Sequence, residues 1–139
     1  MGKIPSVSNM ISAIILNPQF GDTIPSDTTF NISVQTRGLA AGFFTNPTIT
    51  YYNGPQDLTD DGEIIGHCHV TLQTLGNSLN PTEPPEPSNF AFFKGIDDAG
   101  NGRGLLQAQV GGGLPPGFYR VCTMIAARNH QPGMDSVPL

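Results

Sequence analysis

The sequence predicts an all-β fold, an immunoglobulin-like antiparallel β-sandwich of about seven strands. Three observations carry that expectation. Gly (17) and Pro (13) are abundant among the 139 residues, and both break helices while supplying turns. Several short stretches alternate apolar and polar residues with the period of two that a half-buried strand requires. No stretch sustains a helical apolar period between recognisable start and stop signals.

Taken in order, residues 1–10 read as a loose lead-in broken by Pro5 and Ser8. Ile11–Leu16 is a short apolar strand stopped by Asn17-Pro18. Thr28–Gln35 alternates cleanly, with Phe30, Ile32 and Val34 on one face and Asn31, Ser33 and Gln35 on the other. Thr48–Tyr52 precedes the turn Asn53-Gly54-Pro55. Ile64–Gln73 sends Ile64, Cys68, Val70 and Leu72 inward, and His67, His69, Thr71 and Gln73 outward to solvent.

Pro81-Thr82-Glu83-Pro84-Pro85-Glu86-Pro87 is an extended, polyproline-like connection expected to cross between the sheets. Asn89–Lys94 holds Phe90, Phe92 and Phe93. Gly104–Val110 follows the turn Asp97-Asp98-Ala99-Gly100-Asn101-Gly102. Gly117–Ala126 is apolar on both faces, as a central strand covered on both sides would be. Residues 133–139 supply a short final strand or a second loose tail. The whole, 1–139, is one domain with a core large enough to need no metal.

Charge and length exclude several classes. Charged residues make up only 12% of the chain, the net charge is −5, and Lys and Arg form no cluster. Such a surface has no footprint for phosphate backbones, so nucleic acid is not expected as a partner. No apolar run is long enough to span a membrane. Gly-x-Ser-x-Gly, phosphate-loop and dinucleotide fingerprints are all missing. Glu83 and Glu86 sit in the proline-rich connection, which leaves few rigid carboxylates for glycoside hydrolysis. The chain is read as a binding protein without catalytic residues or cofactor.

Cys68 and Cys122 are the only cysteines, each on a predicted strand. A bridge between them would close a long loop and contribute about 4 kcal/mol in the chain-entropy model. The alternative is two buried free thiols. The bridge is the reading taken, and with the composition it implies an exported protein whose leader has been removed.

His67 and His69 share a strand face, about 7 Å apart. Both can touch one metal, with a third ligand from His130 or from the group Asp57, Asp60, Asp61 and Glu63. That gives a second functional reading, a metal- or glycan-binding surface; the first reading assigns no metal. Asn31-Ile32-Ser33 is a permissible glycosylation sequon on an outward position.

The order of Asp61-Gly62-Glu63-Ile64-Ile65-Gly66-His67-Cys68-His69-Val70, Phe92-Phe93-Lys94-Gly95, Gly117-Phe118-Tyr119-Arg120-Val121-Cys122 and Asn129-His130-Gln131-Pro132 resembles a family of small secreted proteins of moulds and mushrooms. The resemblance implies secretion and an effector-like role at a host interface, without a defined reaction. The chain also resembles, more distantly, the chagasin-type immunoglobulin-like inhibitors of papain-like cysteine proteases. Those insert an Asn-Pro-Thr loop, a glycine-rich loop and an Arg-Pro-Trp loop. Here Asn46, Pro47 and Thr48 stand in the first place, Gly111, Gly112 and Gly113 in the second, and Arg128, His130 and Pro132 in the third, although the chain has no Trp. The resemblance implies a protein partner, a host papain-like cysteine protease blocked by loop insertion.

Overall fold

A computed structural model describes residues 2–46, 48 and 54–133. A 3₁₀ turn, Val7–Asn9, is followed by seven strands. They are β1 (Ser12–Asn17), β2 (Phe30–Arg37), β3 (Leu39–Ala40), β4 (Ile64–Thr74), β5 (Phe92–Ile96), β6 (Leu105–Val110) and β7 (Tyr119–Ala127). One sheet has the order β1-β2-β6. In the other, β4 is central, with β7 along one edge and β3 then β5 along the other. All pairings are antiparallel except the short β3–β4 contact.

The expected all-β sandwich is therefore present, and alternation is what builds it. Ile32 and Val34 of β2 and Leu106, Ala108 and Val110 of β6 face Cys68, Val70 and Leu72 of β4 and Ile96 of β5 in one buried cluster. Six of the seven expected strands overlap an observed one. The seventh, Thr48–Tyr52, lies outside the described residues apart from Thr48, and β3 is too short to leave an alternation pattern.

Three expectations need correction. The cysteines do not bridge: both are free thiols. Register is the reason. Cys68 lies opposite Ile125, while Cys122 lies opposite Thr71. Antiparallel partners share a face and neighbours alternate, so Cys68 points into the core and Cys122 to the outer face. Two free thiols give no sign of an oxidising compartment.

The proline-rich segment is not a crossover either. It joins β4 to β5, which are antiparallel neighbours in the same sheet. Finally, the outward face of β4 is covered rather than solvated, with His67, Thr71 and Gln73 only 2%, 5% and 5% exposed. Phe43 N–H donates to the Gly66 carbonyl at 3.0 Å and lays residues 43–45 alongside the start of β4. At its other end Arg120 Nε and Nη2 donate to Gln73 Oε1 at 3.0 and 2.7 Å.

The lead-in is fastened at the His67 end of the sandwich. Lys3 N–H donates to the Gln56 carbonyl at 2.8 Å, and Gln56 Nε2 returns a bond to the Lys3 carbonyl at 2.9 Å. Lys3 Nζ also pairs with Asp57 at 2.7 Å, a contact that holds the Asp57 carboxyl below its usual range. Residues 134–139 of the expected tail lie outside the described residues.

Candidate metal centre

Three imidazoles meet on the outer face of β4. His67 and His69 reach it by strand alternation. His130 reaches it because the chain doubles back after β7. His130 N–H donates to the Ala127 carbonyl at 2.9 Å, Ala127 N–H to the Gln131 carbonyl at 2.8 Å, and Gly133 N–H to the Ile125 carbonyl at 3.0 Å. The turn holds His130 at φ 65, a left-handed conformation that costs a non-glycine residue on the order of 1 kcal/mol. Such strain often marks a functional position.

The ring centroids of His67 lie 4.6 Å from His69 and 4.7 Å from His130, and those of His69 and His130 are 6.1 Å apart. One nitrogen from each ring can be chosen so that all three lie within 4.8 Å of one another. Nitrogens bound to one tetrahedral metal at about 2.05 Å are about 3.3 Å apart, so the rings would draw together by up to about 1.5 Å on binding one ion.

The hydrogen bonds set the tautomers. His67 Nδ1 donates to the Phe43 carbonyl at 3.0 Å, and His130 Nε2 to the Thr45 carbonyl at 3.2 Å. A carbonyl only accepts, so in the neutral form the His67 ring carries its proton on Nδ1 and its lone pair on Nε2. Metal-binding histidines are held in this way. His67 Nε2 is buried without a hydrogen-bond partner, an arrangement that costs about 1–3 kcal/mol unless something else satisfies the atom.

Burial pushes the His67 imidazole down to about 4, against the smaller upward pull of the Phe43 carbonyl, and the two neighbouring histidines lower it further. Burial also lowers His69. Both rings are thus neutral near pH 7, the form that binds a metal. Aromatic rings wall the site: Phe93 stacks on His69 at 5.5 Å, and Phe44 meets His67 edge-on at 6.1 Å. Gly95 lies opposite His69 on β5. A Cβ there would sit 3.3 Å from His69 Cδ2, so the glycine makes room for the ring.

The acidic residues do not join the centre. Among the described residues the metal-ligating group consists of His67, His69 and His130 alone. In the Asp97–Gly102 segment, Asp98 Oδ1 accepts from Gly100 N–H at 2.7 Å and Asn101 Oδ1 accepts from Arg103 N–H at 2.8 Å, so it is a turn.

The three loops assigned to a protease cleft are split between the two ends of the sandwich. Asn46 and Thr48 adjoin the Arg128–Pro132 turn, since Thr45 N–H donates to the Arg128 carbonyl at 2.7 Å; Pro47 lies outside the described residues. Gly111–Gly113 lies at the far end, where Gly112 N–H donates to Thr29 Oγ1 at 2.9 Å and Gly113, at φ 70, packs against Thr28. The length of β2, roughly 25 Å at about 3.3 Å per residue, separates the two groups. They do not form a single wedge. Asn31 is exposed on β2, as expected.

Sequence reasoning paired His67 with His69 and named His130 among the third ligands. It missed Gly95, the carbonyls of Phe43 and Thr45, and the covering of the site. A glycine inside an otherwise regular strand was the available signal for Gly95.

Residues 13–138 match the family model described as the CLU5d N-terminal domain. A curated relative, pathogenicity cluster 5 protein d of Colletotrichum graminicola (strain M1.001 / M2 / FGSC 10212), is 56% identical over 132 residues. The match covers 95% of this chain and 28% of that relative, so the chain spans under a third of its length. No solved structure matches.

Proposed function

This chain belongs to the CLU5d N-terminal domain family, and we propose that it is a virulence-associated domain that binds a transition-metal ion through His67, His69 and His130. The carrying observation is the buried His67 Nε2, which has no hydrogen-bond partner and lies beside two other imidazoles. The name of the Colletotrichum graminicola relative links that protein to pathogenicity, which supports a role in infection. Secretion remains part of the proposal on the family resemblance, without help from the cysteines.

The chain's own residues do four things here. β4 fixes two ligands, the turn after β7 brings the third, and backbone carbonyls orient the rings. Phe44 and Phe93 pack against the His67 and His69 rings. A bound ion would accept the buried lone pair, and three imidazoles would leave a fourth coordination position to be filled.

Calorimetric titration with Zn²⁺ at pH 7 tests the proposal. The expected result is one equivalent bound, with affinity lowered at least about tenfold by either His69→Ala or His130→Ala. No binding, or binding indifferent to both substitutions, would overturn it.

A further inference from the structure

We propose that the ion this centre is built for is copper, with the Met124 thioether as a fourth ligand beside the three imidazoles. The inference rests on the three-histidine reading and goes on to name the metal.

Met124 is the direct antiparallel partner of His69. Directly opposed residues project from the same face with Cβ atoms about 4.5–5.5 Å apart. Register alone therefore places Met124 beside the centre. Its side chain is 46% exposed, so it is not locked into the core and can turn toward the neighbouring ring. Three rotatable bonds let a thioether reach a metal held over the neighbouring imidazole.

The donor set then chooses the metal. Zn²⁺ is satisfied by three imidazoles and a water and gains little from a thioether. Three nitrogens with a soft sulfur suit copper, and Cu(I) above all. The walls agree: Phe93 and Phe44 lie against His69 and His67, and an apolar lining favours the lower charge of Cu(I). Cu²⁺ binds nearly any nitrogen site more tightly than Zn²⁺. Tight Cu²⁺ binding alone is therefore uninformative, and dependence on Met124 is the discriminating property.

Cys122 is on the same outer face, opposite Thr71, and as a thiol would compete for Cu(I). The experiment is therefore run in a Cys122→Ser background. Cu(I) affinity is measured anaerobically by competition with bicinchoninate, and Zn²⁺ affinity by calorimetry, with Met124 and with Met124→Leu. Leucine conserves volume, so the fold is kept. The expected result is Cu(I) affinity weakened at least about tenfold by Met124→Leu, with Zn²⁺ affinity within about twofold of the parent. Unchanged Cu(I) affinity, or equal weakening of both metals, would overturn the copper assignment while leaving the histidine centre in place. Failure of the parent to bind either metal would instead overturn the centre itself.

Discussion

Acidifying the metal-free domain should cost it stability in a defined window, because His67 is folded away in its neutral form. In the unfolded chain an imidazole takes up its proton near pH 6.5. In the fold, burial pushes His67 down to about 4. Between those values the unfolded state binds more protons, so stability falls as pH falls. Above 6.5 both states are neutral, and below about 4 both are charged, so the effect levels off at each end.

The gap corresponds to a loss of up to about 3 kcal/mol at the bottom of the window. His69, lowered in the same direction, adds to it. Asp57 acts separately: its carboxyl is lowered from 3.8 by Lys3, so its contribution is present above that value and lost beneath it. Urea unfolding with chelator present, at steps from pH 7.5 to 4, gives the curve. A His67→Gln variant should be flatter across the window. Stability that is level between 6.5 and 4, or a slope unchanged by the substitution, would refute the reasoning.

Further predictions follow from particular contacts. A thiol reagent should label Cys122 in the native protein and Cys68 only on unfolding, because Cys68 is fully buried and desolvation pushes its thiol up to about 11; mass spectrometry showing two fewer hydrogens and no labelling would restore the bridge. Gly66→Ala would place a Cβ 2.1 Å from the Ala126 carbonyl oxygen, costing on the order of 3 kcal/mol and loosening the turn that carries His130; a melting temperature equal to the parent's would contradict this. Gly95→Ala should instead spare stability and weaken metal binding, since the atom it approaches belongs to the His69 ring. Ile32→Ala, in the centre of the core at 0% exposure, should cost about 3 kcal/mol, while Phe20→Ala at a fully exposed site should stay within about 0.5 kcal/mol.

Much of the fold was legible in the chain because alternation is a local signal. Thr28–Gln35 and Ile64–Gln73 declare which side chains share a face, and β2 and β4 use those faces as expected. Register is not local. Nothing in the spacing of Cys68 and Cys122 shows that three residues of offset would put them on opposite faces. Burial of the second face was hidden for the same reason: His67 is outward on its strand, and only residues 43–45 and the turn after β7 make it inaccessible. The candidate site was half legible. His-x-His fixed two ligands, whereas the choice of His130 over the acids depended on a turn closed by Ala127 and Gln131. The placement of the loops was hidden for the same reason, since short Asn-Pro-Thr and Gly-Gly-Gly runs say nothing about which end of a sandwich they occupy.

X-ray absorption at the edge of the bound metal tests the central claim most directly, because it counts the ligands. The metal-loaded protein should show a first shell containing three imidazole nitrogens near 2.0–2.1 Å, identified by the multiple scattering of the rings. Loss of one imidazole in His130→Ala should follow. A shell of oxygens alone, or one unchanged by that substitution, would contradict a centre made by His67, His69 and His130.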